Sequence, residues 1–423
     1  MRSTCVIAGG GPAGAMLALL LARSGVEVTL LEKHADFLRD FRGDTIHPST
    51  LRTLAGIGLA DAFLKLPHRK TYELSLVTDS GPMKLADLRE LPGPYNYIAF
   101  VPQGDFLDLI TAEAARLPGF RLLMRAEAYD LIREGGRVRG LRYRDPSGEH
   151  EIRAELTVAA DGRRSALRER AGLVPQELGA PMDVLWFRLP RADGDPGETF
   201  LRVSSGHMMV AINRESYWQL AYLIPKGGFD ELTGRGIEAL REPVARMLPF
   251  LRGRIGLVRD YTEVSMLTVA LDRLRRWHRP GFVCIGDAAH AMSPVFGVGI
   301  NLAIQDAVAA ANLLAGPLRS GGPVPESTLR RLRRRRMFPT RVTQAAQRLV
   351  QDRLIRPALD GAFRAPRSLP DLTRVPLLNR FTRRFIGLGV RPERVTAAPA
   401  GQSSHNVDNA VGGQDPVEYP RMS

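Results

Sequence analysis

Residues 286–306 read GDAAHAMSPVFGVGINLAIQD, and they decide the fold. Phe282–Ile285 (FVCI) precedes them as a short apolar run with β-branched members, the pattern of a buried strand. Gly286 and Asp287 stand where that strand ends. Pro294, Gly297 and Gly299 then interrupt regular structure. From Ile300 the apolar residues return at helical spacing: Ile300, Ala303, Ile304, Ala307, Val308, Ala311, Leu314. The order is strand, acidic turn, Gly/Pro loop, helix, and it suits a dinucleotide-sized ligand. Asp287 can accept hydrogen bonds from ribose hydroxyls. Gly297 and Gly299 let backbone N–H groups approach an anion or a ring edge, and the helix start behind them carries partial positive charge. The same glycines could serve only a tight buried turn, so a second motif has to decide.

That motif lies at the N-terminus. Residues 4–8 (TCVIA) read as a buried strand, Gly9-Gly10-Gly11-Pro12-Ala13-Gly14 follows, and residues 13–24 read as an Ala/Leu helix stopped by Gly25. A second strand, Val26–Leu31, ends at Glu32 and Lys33. A G-x-G-x-x-G alone is weak. Placed between strand and helix, with an acid closing the next strand, it is a nucleotide-binding unit. Gly9 serves the tight turn, Gly11 the approach of a pyrophosphate, and Gly14 close helix–strand packing. Glu32 would take the ribose hydroxyls of an adenosine half.

The 423 residues suffice for two or three domains, with composition typical of a globular protein. Cys5 and Cys284 both sit in apolar runs and match no metal or redox spacing. We therefore expect buried thiols and a cytoplasmic chain. The net charge of +14 favours anionic ligands or surfaces, yet no zinc-finger or RNA-recognition spacing supports nucleic acid. The first 25 residues superficially resemble a signal peptide. Their apolar run is broken by Gly9–Pro12 and continues in register with the nucleotide unit, so secretion is not expected.

Between the two motifs lie further candidates. Arg39, Arg42 and His47 occur in RDFRGDTIHPSTLRTL; Arg42 can equally face a pyrophosphate or solvent. Gln103 opens a helix carrying Phe106, Leu107 and Ile110. Leu156–Ala160 is another buried strand, ending at Asp161-Gly162-Arg163. Residues 175–270 read as short mixed strands rich in aromatic residues, including Trp186, Trp218 and Tyr222, as for an inserted sheet with a ligand pocket. From residue 327 the chain is helical and basic. The run Arg330–Arg336 reads as a solvated face, and Val342, Ala345 and Leu349 as the buried stripe that follows. Leu377, Phe381 and Phe385 share one helical face flanked by Arg380, Arg383 and Arg384. That stripe can dock on the protein or lie on an anionic membrane; docking, with Phe381 buried, is expected.

Gly9–Gly14 with Glu32, Asp161-Gly162 and Gly286-Asp287, in this order, resemble the class A flavoprotein monooxygenases, the para-hydroxybenzoate hydroxylase-like aromatic hydroxylases, over about residues 4–315. The resemblance implies an α/β fold: a Rossmann-like FAD-binding domain (residues 1–174 and 271–326) with an inserted mixed β-sheet substrate domain (175–270). A helical C-terminal segment (327–396) and a disordered tail (397–423) would complete the chain. It implies non-covalent FAD held by Gly9, Gly11, Pro12, Ala13, Gly14, Glu32 and Lys33. Gly286 and Asp287 would take the ribityl–pyrophosphate region, and Pro294, Gly297, Val298, Gly299, Ile300 and Asn301 would lie by the isoalloxazine. Asp161, Gly162 and Arg163 would meet both FAD and a reducing nicotinamide; Arg42 and Gln103 would contact FAD. Where the family loop commonly reads Gly-Gln-Gly, this chain has Gly297-Val298-Gly299.

No second nucleotide-binding glycine motif follows a strand, as befits a transient NADPH or NADH. The implied reaction is reduction of FAD, addition of O2 at flavin C4a as a hydroperoxide, and oxygen transfer to an aromatic, polyketide-like or otherwise lipophilic small molecule. The flavin carries the chemistry, so no catalytic side chain is assigned. His47 and Tyr222 are candidates for a base, and His290 is expected to be structural. Flavin-dependent halogenases are an alternative, since Trp218–Pro225 partly matches their Trp-x-Trp-x-Ile-Pro motif without its second tryptophan. So are geranylgeranyl-reductase-like FAD enzymes and, in another class, a non-catalytic flavoprotein carrier.

Overall fold

In the computed structural model, which describes residues 1–38, 45–364 and 375–397, strand Arg2–Ala8 lies inside an eight-stranded sheet. Phe282–Cys284, Gly148–Ala159, Arg2–Ala8, Val28–Glu32 and Phe120–Met124 run parallel in that spatial order. Parallel strands require crossovers that cover both faces. Accordingly Val6, Ile7, Leu156, Val158 and Val283 are all buried. Gly148–Ala159 changes character along its length. Its first half pairs antiparallel with Arg137–Asp145 and alternates between exposed and covered residues. Its second half lies between parallel neighbours and is buried on both faces. This carries Asp161-Gly162 to the middle of the sheet.

Helices Pro12–Arg23, Gln103–Ala115 and Gly299–Arg319 pack together over this sheet. Small residues, Ala15 and Ala18 on one helix and Ala303, Ala307 and Ala311 on another, let their axes approach. The last helix is apolar enough to span a bilayer, but 83% of its most apolar window is buried; its hydrophobicity is that of a core helix.

The aromatic-rich region forms a seven-stranded sheet. Strands Ser265–Leu267, Met182–Pro190, Tyr217–Pro225, His207–Asn213 and Phe200–Ser204 are joined by Glu73–Thr78 and Gly81–Asp87 from the first block, the latter pair entering beside Phe200–Ser204. Helices Phe229–Gly234 and Glu238–Met247, absent from the strand-only expectation, contribute to the cover on one face, over Phe187, Trp218, Leu220 and Tyr222. The other face presents Val184, Met208 and Leu223 toward Val295 and Ile355.

The C-terminal helices depart from the sequence pattern in two ways. In Glu326–Val350, Leu349 is 59% exposed, whereas Arg336, Thr340, Thr343, Gln344 and Gln347 are buried. This helix docks largely through hydrogen bonds. Gln344 Nε2 donates to the carbonyls of Asp272 and Ala291, and Gln347 Nε2 to those of Ser293 and Val295. Buried loop carbonyls need donors, and amide side chains one helical turn apart supply them. Arg336 therefore belongs to the core, not to the solvated run. In helix Pro376–Leu388 the buried residues are Asn379, Ile386, Gly387 and Leu388, while Leu377 is 83% and Phe381 66% exposed. The expected docking of Phe381 is thus overturned: Leu377 and Phe381 face outward, while Asn379, half-buried Phe385 and the end of the helix face the protein.

Candidate functional site

Three of the motifs stand at the C-terminal ends of adjacent parallel strands, where open α/β sheets bind ligands. Gly9 follows Arg2–Ala8 with φ +103°, and a side chain there would collide with the carbonyl of Ala160. Gly14 has no room for a Cβ either, because the Gly9 carbonyl lies against it. Gly11 differs: nothing lies within 4 Å of where its Cβ would be. Two of the motif's glycines thus close the turn, and the third faces open space of the kind a pyrophosphate needs. Pro12 and Ala13 begin the helix behind it. Glu32 reaches back to the loop. Its Oε2 accepts from Gly10 N–H at 3.0 Å and its Oε1 from His34 N–H at 3.0 Å. Lys33 is exposed beside it.

The Asp-Gly and Gly-Asp motifs meet directly. Arg163 Nε donates to Asp287 Oδ2 at 3.0 Å. Buried Arg168 ties the same two turns, donating to the carbonyls of Ala288 at 3.3 Å and Arg163 at 2.7 Å. Asp161 accepts from Leu167 N–H at 3.3 Å, near the start of the following helix, and burial raises its carboxyl above the usual range. Its other oxygen and Arg163 Nη1 are buried without a hydrogen-bond partner. Orphaned polar atoms of this kind are costly. Together with the space at Gly11, they fit an extended polar ligand such as the diphosphate half of FAD.

Behind Gly286 lies a network that the sequence only hinted at. Asp306, fully buried, accepts from Gly286 N–H at 3.1 Å, bonds His290 Nε2 at 2.6 Å and accepts from Arg336 Nε at 2.8 Å. Burial alone would raise this carboxyl; His290 and Arg336 outweigh it and hold it below the usual range. Arg335 chelates Glu393 through two nitrogens, so the segment after the terminal helix is strapped to the same place. His290 is structural, as expected.

The loop before helix Gly299–Arg319 is strained. Phe296 has φ +68°, a left-handed conformation for a non-glycine residue, and Gly297 follows at +62°. Thr45 Oγ1 donates to the Gly297 carbonyl at 2.8 Å. The Asn301 side chain is turned to residues 45–50: its oxygen accepts from His47 N–H and Thr50 Oγ1, and its nitrogen donates to the Thr45 carbonyl. It is the first-turn N–H groups of Gly299, Ile300 and Asn301 that remain to meet a ligand. Val298 precedes them as the helix cap, and the Pro294 carbonyl closes the loop on Gly297 N–H.

Gln103 begins its helix with no side-chain hydrogen bond among the described residues. Arg42 lies outside the described residues.

The two candidate bases separate. Tyr222 lies on the helix-covered face of its sheet, bonded to His207 Nδ1 at 2.7 Å, and burial pushes its phenol up to about 12. It faces away from the Phe296 loop and is removed from consideration. His47 is fully buried beside that loop. Its Nδ1 lies 2.7 Å from the Ile386 carbonyl and so carries the proton; Nε2 has no partner. Burial pushes the imidazole down to about 4, which makes it a neutral hydrogen-bonding group and a weak base at neutral pH. Below its ordinary 6.5 the unfolded chain takes up a proton that the folded chain refuses until about pH 4. Stability should therefore fall by about 3 kcal/mol across that window. Denaturant titrations from pH 7 to 4 should show a steeper slope in the wild type than in His47→Gln, since burial also depresses His207 and His278; equal slopes would refute the assignment.

The comparisons with known proteins now bear on this geometry. Residues 2–346 match the family model described as FAD binding domain. The chain belongs to this family. Over 317 residues it is 33% identical to 6-methylpretetramide 4-monooxygenase of Streptomyces rimosus, covering 74% of this chain and 75% of that one. It is 28% identical over 342 residues to digeranylgeranylglycerophospholipid reductase 2 of Methanothermobacter thermautotrophicus, covering 76% and 80%. Among solved structures, the anhydrotetracycline hydroxylase OxyS from Streptomyces rimosus superposes with a TM-score of 0.73 at 24% identity, covering 92% of this chain and 76% of that one. The protein is an FAD-dependent monooxygenase of this family, an oxidoreductase, as the sequence motifs implied.

The halogenase-like segment finds no support in the site. Trp218 is fully buried on the helix-covered face, with its indole N–H on Asp195 at 2.9 Å. Phe296, Thr45, Thr50, Arg168, Asp306 and Arg336 all shape the site and were not among the sequence candidates.

Proposed function

We propose that the protein uses NADPH or NADH and O2 to hydroxylate an aromatic or polyketide-like small molecule bound where the seven-stranded sheet meets the Phe296 loop. The observation that carries this reading is the apolar wall there. Ile212 is buried among Trp186, Val210, Phe296 and Phe385, with Phe296 edge-on to Phe385 at 5.8 Å. The Trp186 indole N–H in this wall is buried and has no acceptor, which suits a substrate carbonyl or phenol oxygen. Relatives named for 6-methylpretetramide and anhydrotetracycline support the same substrate class.

Bound FAD would supply the reducing equivalents and the activated oxygen. The chain's own residues bind, orient and exclude water. Gly9, Gly11 and Gly14 with Glu32 would hold the adenosine diphosphate half, Asp287 the ribityl–phosphate region, and the N–H groups of residues 299–301 the edge of the ring system. Arg163, paired with Asp287, would meet both cofactors. The buried free thiols Cys5 and Cys284 support a reducing, cytoplasmic setting.

The test is FAD-loaded protein with NADPH or NADH and a panel of phenols, anthrones and naphthacene-type polyketides under isotopically labelled dioxygen. One labelled oxygen atom should appear in the product. Saturation of a double bond without oxygen uptake would instead support a reductase, and product formation that depends on bromide or chloride a halogenase.

A further inference from the structure

The terminal helix Pro376–Leu388 turns the wrong way for a helix whose only task is to dock. Its inward side carries Asn379 and ends in Ile386 and Leu388, while Val375, Leu377, Leu378 and Phe381 project into solvent at its outer end. Such a contiguous exposed apolar ridge marks an interaction surface. A groove of about 350 Å³ runs beside it, lined by Leu377, Arg380, Phe381, Arg384, Phe385 and Val390. The ridge is continuous with the aromatic cluster at the Phe296 loop. Phe381 stacks on Phe385 at 6.0 Å, and Phe385 meets Phe296 edge-on.

The charges around this ridge are mostly positive. Arg383 pairs with Glu90, but Arg380, Arg384 and Arg394 have no carboxylate partner among the described residues. Arg52 stands close enough that, after burial, the like charges of Arg384 and Arg394 depress its guanidinium. Arg380 and Arg384 in the groove beside a protruding apolar ridge, with Arg52 and Arg394 near Arg384, fit a surface that is anionic at its face and apolar beneath.

We propose that this end of the helix seats on an anionic lipid bilayer, with Leu377, Leu378 and Phe381 at the acyl boundary and Arg380 and Arg384 among the headgroups. An amphipathic helix binds an interface by these two contributions together. With the Phe296 cluster read as the substrate site, the aromatic line Phe381–Phe385–Phe296 would then lead from the bilayer to it. The binding itself does not depend on that reading, and its test uses no turnover.

FAD-loaded full-length protein is sedimented with vesicles of phosphatidylglycerol and phosphatidylcholine, or of phosphatidylcholine alone. It should pellet with the anionic vesicles at low salt, be released at high salt, and stay in solution with the neutral ones. Arg380→Gln and Arg384→Gln should each weaken the partition about fivefold. The Leu377→Ser, Phe381→Ser double variant should weaken it by at least about tenfold, with an unchanged melting temperature because both side chains are exposed. Wild type left in the supernatant with both vesicles, equal binding to neutral vesicles, or variants that pellet like wild type would overturn the proposal. So would a concentration-dependent dimer abolished by Phe381→Ser, because a second copy would then own the ridge.

Discussion

Asp287→Ala should purify without its yellow colour. The side chain stands at the end of strand Phe282–Cys284, half-buried, with one oxygen on Arg163 Nε and the other without a partner among the described residues. It is the carboxylate of the Gly-Asp motif on the open side of the crevice. Truncation would remove charge-assisted hydrogen bonds worth about 1.5–3 kcal/mol each and leave Arg163 facing the ligand unpaired. FAD affinity should fall by about ten- to a hundredfold or more. The ratio of flavin to protein absorbance after purification, followed by FAD titration of the stripped protein, measures this. A variant that keeps its full flavin complement would show that Asp287 does not hold the cofactor.

Asp306→Ala should damage the fold itself. The carboxylate is buried and bonded to Gly286 N–H, His290 and Arg336. Without it, Arg336 remains buried with only Glu393, at 3.6 Å, as counter-charge. Removing one partner of a buried ion pair typically costs about 3–5 kcal/mol, and Gly286 N–H loses its acceptor as well. Denaturant unfolding of the flavin-free protein isolates this loss from any change in FAD binding. Apoprotein stability equal to wild type would mean that Arg336 and His290 find other partners. Asp306→Asn sharpens the test: the amide oxygen can still accept from Gly286 N–H, so it should recover flavin binding better than stability.

Much of the FAD half was legible in the sequence because its constraints are local. Gly9 must adopt a positive φ, Gly14 must lack a Cβ, and the strands buried on both faces must be continuously apolar. Each demand leaves a mark within a few residues, and so the motifs and their order could be read directly. In the C-terminal helices apolar spacing does not mark the buried face. In Glu326–Val350 the buried face is polar: Arg336, Thr340, Gln344 and Gln347 stand at helical spacing, a signal present in the chain but invisible to a hydrophobic template.

What the sequence determined by itself is the nucleotide-binding architecture, the FAD-dependent chemistry and the three motifs at the ends of adjacent strands. Only the tertiary structure decided which side chains act together. It joined Arg163 to Asp287 and Arg336 to Asp306 across 124 and 30 residues, removed Tyr222 to the far face of its sheet, and made His47 neutral by burying it. It also turned Phe381 outward. The physical reason is common to all five. A residue's backbone conformation is set largely by its neighbours in the chain, but its burial, its charge partner and the sheet face it occupies depend on segments that arrive from elsewhere.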